Sequence, residues 1–267
     1  MHSQAIQAID VHGHVGTYKG ALSPLLDRLM SGGPDVILRR ARLAHTRLTI
    51  VSGLAALLPR RRSNAVAGNP YTVWLVEGVK GLAFWVVVDP LKPATYAQAK
   101  RLLKHPQCMG IKIHPVEHGY PIRQYGRKLF AFAEQHGAVM ISHSGEPSCM
   151  PADFMTLADA FPRVKFIMAH LGFGLDGDVT HQVRAIQQCR HGNLYSDTSS
   201  GREVTSNLLE WAVSEIGADR ILFGTDTPLY YSPMFRARID LADLSLAAKR
   251  KILCGNAEKL FGLKVRR

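Results

Sequence analysis

The sequence predicts an α/β fold that closes as a (β/α)8 TIM barrel, one domain over residues 1–267. Three observations carry this expectation. Short apolar, β-branched segments alternate with segments of helical spacing, and eight strand-then-helix units follow one another. Leu82–Val88 is almost wholly apolar, as expected of a strand buried on both faces of a parallel sheet. No linker or shift in composition divides the chain, and 267 residues is a normal length for one such barrel. An open doubly wound sheet would normally have fewer strands, and its phosphate fingerprint G-x-G-x-x-G is absent after the first strand.

The elements follow in order. An apolar run from near Ala5 feeds Ile9–Gly16 (IDVHGHVG), the first strand. His12 and His14 stand at i and i+2, so they share a face and their imidazoles come close enough to hold one cation. Gly16–Gly20 is a loop, Leu22–Met30 and Val36–Ala44 have helical spacing, and Leu48–Leu54 is the second strand. Pro59–Gly68 reads as a basic loop. A helix then starts with Asn69 as N-cap and Pro70 at its first position, running to about Val79. Leu82–Val88 is strand three, followed by a helix at Thr95–Lys104. Met109–His114 is strand four, followed by a helix at Arg123–Gln135 that Gly137 stops. The second half repeats the unit: strands Val139–His143, Val164–His170, Leu194–Thr198 and Ile221–Asp226, with helices Ala152–Ala160, Val179–Cys189, Val204–Ile216 and Ser245–Phe261.

Composition narrows the class. Apolar residues make up 46% and charged residues 20%, ordinary for a globule with a large core. No apolar run approaches the roughly 20 residues of a membrane span. The start MHSQAIQAID lacks the pattern of a secretory signal. The four cysteines form no C-x-x-C pair, which suits reduced thiols and a cytoplasmic protein. An excess of 33 basic over 21 acidic residues gives +12, but the clusters at Arg39–Arg42, Arg60–Arg62, Lys249–Lys251 and the carboxyl terminus have no interleaved aromatics. Nucleic acid is therefore not the expected partner, whereas a small, anionic substrate suits the charge. A homodimer is the default expectation for assembly.

The polar residues fall where strands end, which is where such barrels build their active sites. Strand one ends in His12 and His14, strand four in Lys112 and His114, strand five in His143, strand six in His170 and strand eight in Asp226. Alternation points Lys112 and His114 to the barrel axis, groups Phe166 and Met168 with His170, and groups Leu222 and Gly224 with Asp226. Singly, each residue has an ordinary reading: a hydrogen-bonded loop histidine, a turn cap at Asp226, or Lys112 paired with Glu117 or Glu146. Together they form a cluster of polar groups that would be costly to bury without a purpose.

IDVHGH, GIKIHP, ISHSGEP, MAHLG, ILFGTDTP and ILCGNAEKLFGL occur in this order at the matching strand positions. On these motifs the chain resembles, end to end, the amidohydrolase superfamily and its second family of metal-dependent hydrolases and decarboxylases. The resemblance implies that His12, His14, His143 and Asp226 bind one divalent ion, zinc, with His170 steering water or exchanging a proton. A carboxylated Lys112 would instead bridge two ions, with His143 and His170 on the second. The preferred reading is a single ion, with Lys112 free to bind a substrate carboxylate.

The reaction expected from this set is hydrolysis of an amide, ester or lactone by water that the cation activates, with Asp226 as proton carrier. The alternative is non-oxidative decarboxylation of a carboxylated aromatic or unsaturated acid. In that case Lys112 or Arg202 clamps the anion, and Tyr230 and Tyr231 offer stacking rings. A third reading, a non-catalytic metal-binding barrel, gives no reason for an open coordination position. The loops expected to rim the pocket are Gly16–Ala21, Leu57–Ala67, Val116–Ile122, Glu146–Pro151 and Tyr230–Phe235.

Overall fold

Eight strands lie parallel in the order of the sequence in a computed structural model, which describes residues 5–20, 23–201 and 205–263. They are Ala8–Val15 (β1), Thr46–Gly53 (β2), Leu82–Val87 (β3), Cys108–Ile113 (β4), Met140–Ser142 (β5), Phe166–Met168 (β6), Leu194–Asp197 (β7) and Ile221–Leu222 (β8). The seam between β8 and β1 is held by individual backbone bonds: Val11 N to Phe223 O at 2.9 Å, Asp226 N to His12 O at 2.7 Å, and His14 N to Thr227 O at 2.6 Å. The fold is thus the expected (β/α)8 barrel. No described helix is long and apolar enough to cross a membrane.

Ile9, Val11, Ile50, Ala83, Trp85, Ile141, Ile167 and Leu222 pack together as the interior of the barrel. Trp85 is the largest of them, and its indole N–H donates to Val11 O at 2.9 Å. Gly110 makes room for it. With φ at +149°, a Cβ there would stand 2.8 Å from the Trp85 ring and 2.2 Å from Val139 O. Ile111 and Ile113 of β4 pack outward into the second, helix-covered core layer, so Lys112 turns inward as alternation requires.

Two strands depart from simple alternation, and both departures shape the site. In β1, pairing with β2 slips between Asp10 and Gly13. Val11 belongs to the interior cluster, yet its sequence neighbour His12 also faces the cavity above it. In β6 the expected grouping of Phe166 and Met168 with His170 fails. Ile167 faces inward, while Phe166 stacks on Phe130 and Phe154 of the covering helices, at ring separations of 4.9 and 4.6 Å. His170 still reaches the cavity because β6 ends at Met168 and His170 takes φ of +70°, which breaks the pleat.

One helix start also differs. The helix runs over Ala65–Val76 and is capped by Asn64, whose Oδ1 accepts from Ala67 N at 3.2 Å. Pro70 therefore lies inside the helix and cannot donate to Val66 O. Gln98 Nε2 takes that carbonyl instead, at 2.7 Å. Asn69, expected as the cap, is buried and bonds both N and O of Val87 through its amide, each at 2.9 Å.

The helices Leu208–Ile216 and Ser232–Asp240 are joined by Glu210 and Arg238. This bidentate pair, with a further bond from Asp243 N, pulls the Glu210 carboxyl down to about 2. A depressed carboxyl contributes stability above its unfolded value and loses it as pH falls towards the folded one. Glu210→Gln is therefore expected to cost about 1–2 kcal/mol at pH 7, discounted for the pair's partial exposure. The gap to the parent should close between about pH 4.5 and pH 2. Thermal midpoints of both proteins across that range check this, and a pH-independent gap would contradict it.

Candidate functional site

Beyond the carboxyl-terminal ends of the strands lies a cavity of about 290 Å3, at the low end of the roughly 300–1,000 Å3 typical of small-molecule pockets. His12, His14, His114, His143, His170 and Asp226 line it, as do Phe173 and Ser199. Each of the five loops expected to form the rim contributes a residue: Tyr18, Arg60, Glu117, Glu146 and Tyr230.

His12, His14 and Asp226 converge. His14 Nε2 is 2.9 Å and His12 Nε2 3.6 Å from Asp226 Oδ1, and the ligand atoms of all three lie within 4.8 Å of one another. A tetrahedral ion with ligands at about 2.0–2.2 Å separates them by roughly 3.4 Å, so the spacing fits a metal of that size. Both histidines are also anchored from behind. Asp197 Oδ2 accepts from His12 Nδ1 at 3.0 Å, and Ser52 Oγ meets His14 Nδ1 at 2.9 Å. Carboxylate or hydroxyl behind a ligand histidine fixes the ring and its tautomer and leaves the Nε2 lone pair for the cation. The donor set therefore fits a divalent cation.

The electrostatics agree. Burial opposes charge on Asp226, but the close approach of His14 and the electropositive surroundings made by His12 and the other imidazoles outweigh it and hold the carboxyl well below the usual range. Burial is likewise outweighed at Asp197, chiefly by His12, so that carboxyl is also held low. Asp10 is different. Burial carries it up to about 7, although Thr225 and the backbone of His12 donate to it. Burial, with the charge of His143 next, keeps His170 well below its ordinary value, so its imidazole is neutral.

The other expected site residues fall as follows. His143 lines the cavity but joins neither of the His/Asp groups found among the described residues. Its Nε2 meets Glu146 Oε1 at 2.9 Å. Lys112 is fully buried and lowered by that burial to about 8. Its ammonium donates to His12 Nε2 at 2.9 Å and is not part of the cavity lining. His170 bonds Ser199 Oγ through Nδ1 at 2.8 Å. Arg202 lies outside the described residues.

Sequence reasoning missed Asp197 and Ser199. Asp197 closes β7 and is the hub beneath the site: it takes His12 Nδ1, the backbone N–H of His170 and Ser199, and the Ser199 hydroxyl. A second His/Asp group, His12 with His170 and Asp197, reflects this orienting role. Its place at the end of a strand was the available signal.

The Amidohydrolase family matches residues 9–263 of the chain. Among curated proteins, the gamma-resorcylate decarboxylase of Polaromonas sp. (strain JS666) is 34% identical over 122 aligned positions, 40% of this chain and 37% of that protein. The gamma-resorcylate decarboxylase of Rhizobium radiobacter is 32% identical over 121, again 40% and 37%. The chain thus aligns with little more than a third of the length of each. Among solved structures, a dihydroxybenzoic acid decarboxylase from Polaromonas sp. JS666, with bound manganese and the inhibitor 2-nitroresorcinol, superposes with a TM-score of 0.75. It is 20% identical and covered over 97% of both chains, which shows the shared fold.

These relatives overturn the expectation of amide, ester or lactone hydrolysis, because both curated proteins are decarboxylases. The physical reason is that strand-end histidines and a late aspartate specify a cation site and a proton carrier. Those parts serve either reaction.

Proposed function

The chain belongs to the amidohydrolase family, and from that premise we propose that it removes carbon dioxide, without oxidation, from a hydroxylated aromatic acid. The observation that carries this reading is the stretch of at least 32% identity to two decarboxylases. The site suits the chemistry. Its cavity is small, and Tyr18, Phe173 and Tyr230 supply rings against which a flat substrate can lie.

His12, His14 and Asp226 would hold one divalent cation. Manganese, as in the Polaromonas structure, and zinc, which suits a nitrogen- and oxygen-rich set, are the candidates. When bound, it supplies positive charge to hold the substrate's anionic oxygens. Asp226 is the proposed proton carrier. Its carboxylate takes a proton from the arriving acid and returns it to the ring carbon as the bond to the carboxyl carbon breaks. The electron pair of that bond becomes the new C–H bond, and carbon dioxide leaves. Neutral His170, held on Ser199, accepts a hydrogen bond from a substrate hydroxyl. Lys112 stands on the Nε2 side of His12, beside the cation site and outside the cavity lining, so its charge acts on the ligand set rather than directly on the substrate. The four free thiols suit a reducing compartment such as the cytoplasm.

Carbon dioxide and arene released in equal amounts from hydroxybenzoates such as 2,6-dihydroxybenzoate, by manganese- or zinc-loaded protein, test the reading. Activity is expected to vanish on chelation and return with the metal. Metal-loaded protein that releases nothing from a panel of hydroxylated aromatic acids would sink the proposal.

A further inference from the structure

We propose that His114 is the hydrogen-bond donor that holds the substrate's carboxylate, through an Nε2–H whose position the fold fixes from behind. His114 follows β4 and caps the short turn of helix Pro115–His118, with its Nδ1 accepting the backbone N–H of Glu117 at 3.3 Å. A backbone amide only donates, so Nδ1 carries a bare lone pair and the proton of the neutral ring stands on Nε2. Protonating Nδ1 would set one N–H against another and break the cap. The ring plane is fixed as well, because His114 stacks face to face on His143 with 4.6 Å between centroids and 9° between planes.

Nε2 of His114 has no hydrogen-bond partner among the described residues, and the ring lines the cavity. Two neighbouring donors are already engaged, Arg60 by Glu117 at 3.0 Å and His143 by Glu146 at 2.9 Å, and His14 Nε2 faces Asp226 and the cation site. His170 has the opposite polarity. The Ser199 hydroxyl donates to Asp197, so Ser199 accepts from His170 Nδ1–H and leaves His170 Nε2 as an acceptor. A carboxylate oxygen therefore matches His114 and is repelled by the lone pair of His170. That the acceptor is a substrate carboxylate rests on the decarboxylase reading; that His114 donates into the cavity rests on geometry alone.

Two substitutions separate the two functions of the ring. In His114→Asn the short amide oxygen can still cap Glu117 N, as asparagine does at helix starts, but no donor reaches the cavity. His114→Gln keeps an N–H at the reach of Nε2. Calorimetry with metal-loaded protein, using as probes benzoate and resorcinol, an aromatic ring that carries no carboxylate, reads the effect. Benzoate is expected to bind the Asn protein roughly 10- to 100-fold more weakly, as for loss of a hydrogen bond to a charged group. Resorcinol should be unaffected, the Gln protein should recover most of the benzoate affinity, and both variants should melt near the parent. The assignment is overturned if benzoate fails to bind the parent, binds the Asn protein as tightly as the parent, weakens in parallel with resorcinol, or is not recovered by Gln. Carbon dioxide release judges the reaction separately. A benzoate-specific loss without turnover of any acid would sink decarboxylation and leave the donor in place; turnover with unchanged benzoate affinity would do the reverse.

Discussion

Asp226→Asn is expected to abolish decarboxylation, with turnover falling roughly 1,000-fold or more, in a protein that melts close to the parent. The substitution is well matched to its position. Asp226 sits at φ of +55°, a conformation that asparagine and aspartate tolerate and most side chains do not. Asparagine keeps the shape of the side chain beside His14 Nε2, now 2.9 Å from Asp226 Oδ1, and the seam bond from residue 226 N to His12 O is untouched. What disappears is the negative charge that the surrounding imidazoles stabilise, and with it both a cation ligand and the group that carries the proton. Loss of metal alone would be partly recovered at high manganese concentration; loss of the proton carrier would not. Carbon dioxide release at saturating manganese therefore separates the two, and near-parental turnover there would take Asp226 out of the chemistry.

How far the site can be read from the sequence depends on what a linear pattern encodes. The barrel is legible because each unit repeats a buried apolar run and an amphipathic helix, and those periods follow directly from backbone geometry. His12, His14 and Asp226 are legible because they close strands, and the ends of barrel strands meet in space. Alternation misleads at β6, where the +70° φ of His170 resets the side-chain direction, and it overlooks the slip in β1 that turns both Val11 and His12 inward. No local pattern marks Asn69 as a bracket for Val87 rather than a cap, because its partner lies 18 residues away. Asp197 stands in LYSDTSS without a motif, and its importance comes from four donors in three different parts of the chain. The choice between hydrolysis and decarboxylation is not written in the ligands, since both reactions use the same histidines and aspartate. It lies with the groups that read the substrate, and those come from loops, where spacing carries the least information.

Asp197→Asn is expected to weaken metal binding about 100-fold or more, although the residue touches neither cation nor substrate. The argument is one of proton placement. Asp197 Oδ2 accepts from His12 Nδ1, while its Oδ1 accepts the N–H of His170 and of Ser199. An asparagine oxygen can satisfy only one of these sides. The two backbone donors cannot move, so the oxygen turns to them and the amide N–H turns to His12. His12 must then present a lone pair at Nδ1 and carry its proton on Nε2, the nitrogen that faces His14 and Asp226. A histidine in that tautomer cannot donate its Nε2 lone pair to an ion, and a comparable tautomer error in a hydrolytic triad costs about 10,000-fold. The expected readouts are a raised dissociation constant for zinc or manganese, activity that recovers only in part at high metal, and a shift of the His12 ring nitrogens in 15N NMR of the metal-free protein. Metal affinity equal to the parent's, with the His12 proton still on Nδ1, would show that Asp197 serves the fold rather than the site.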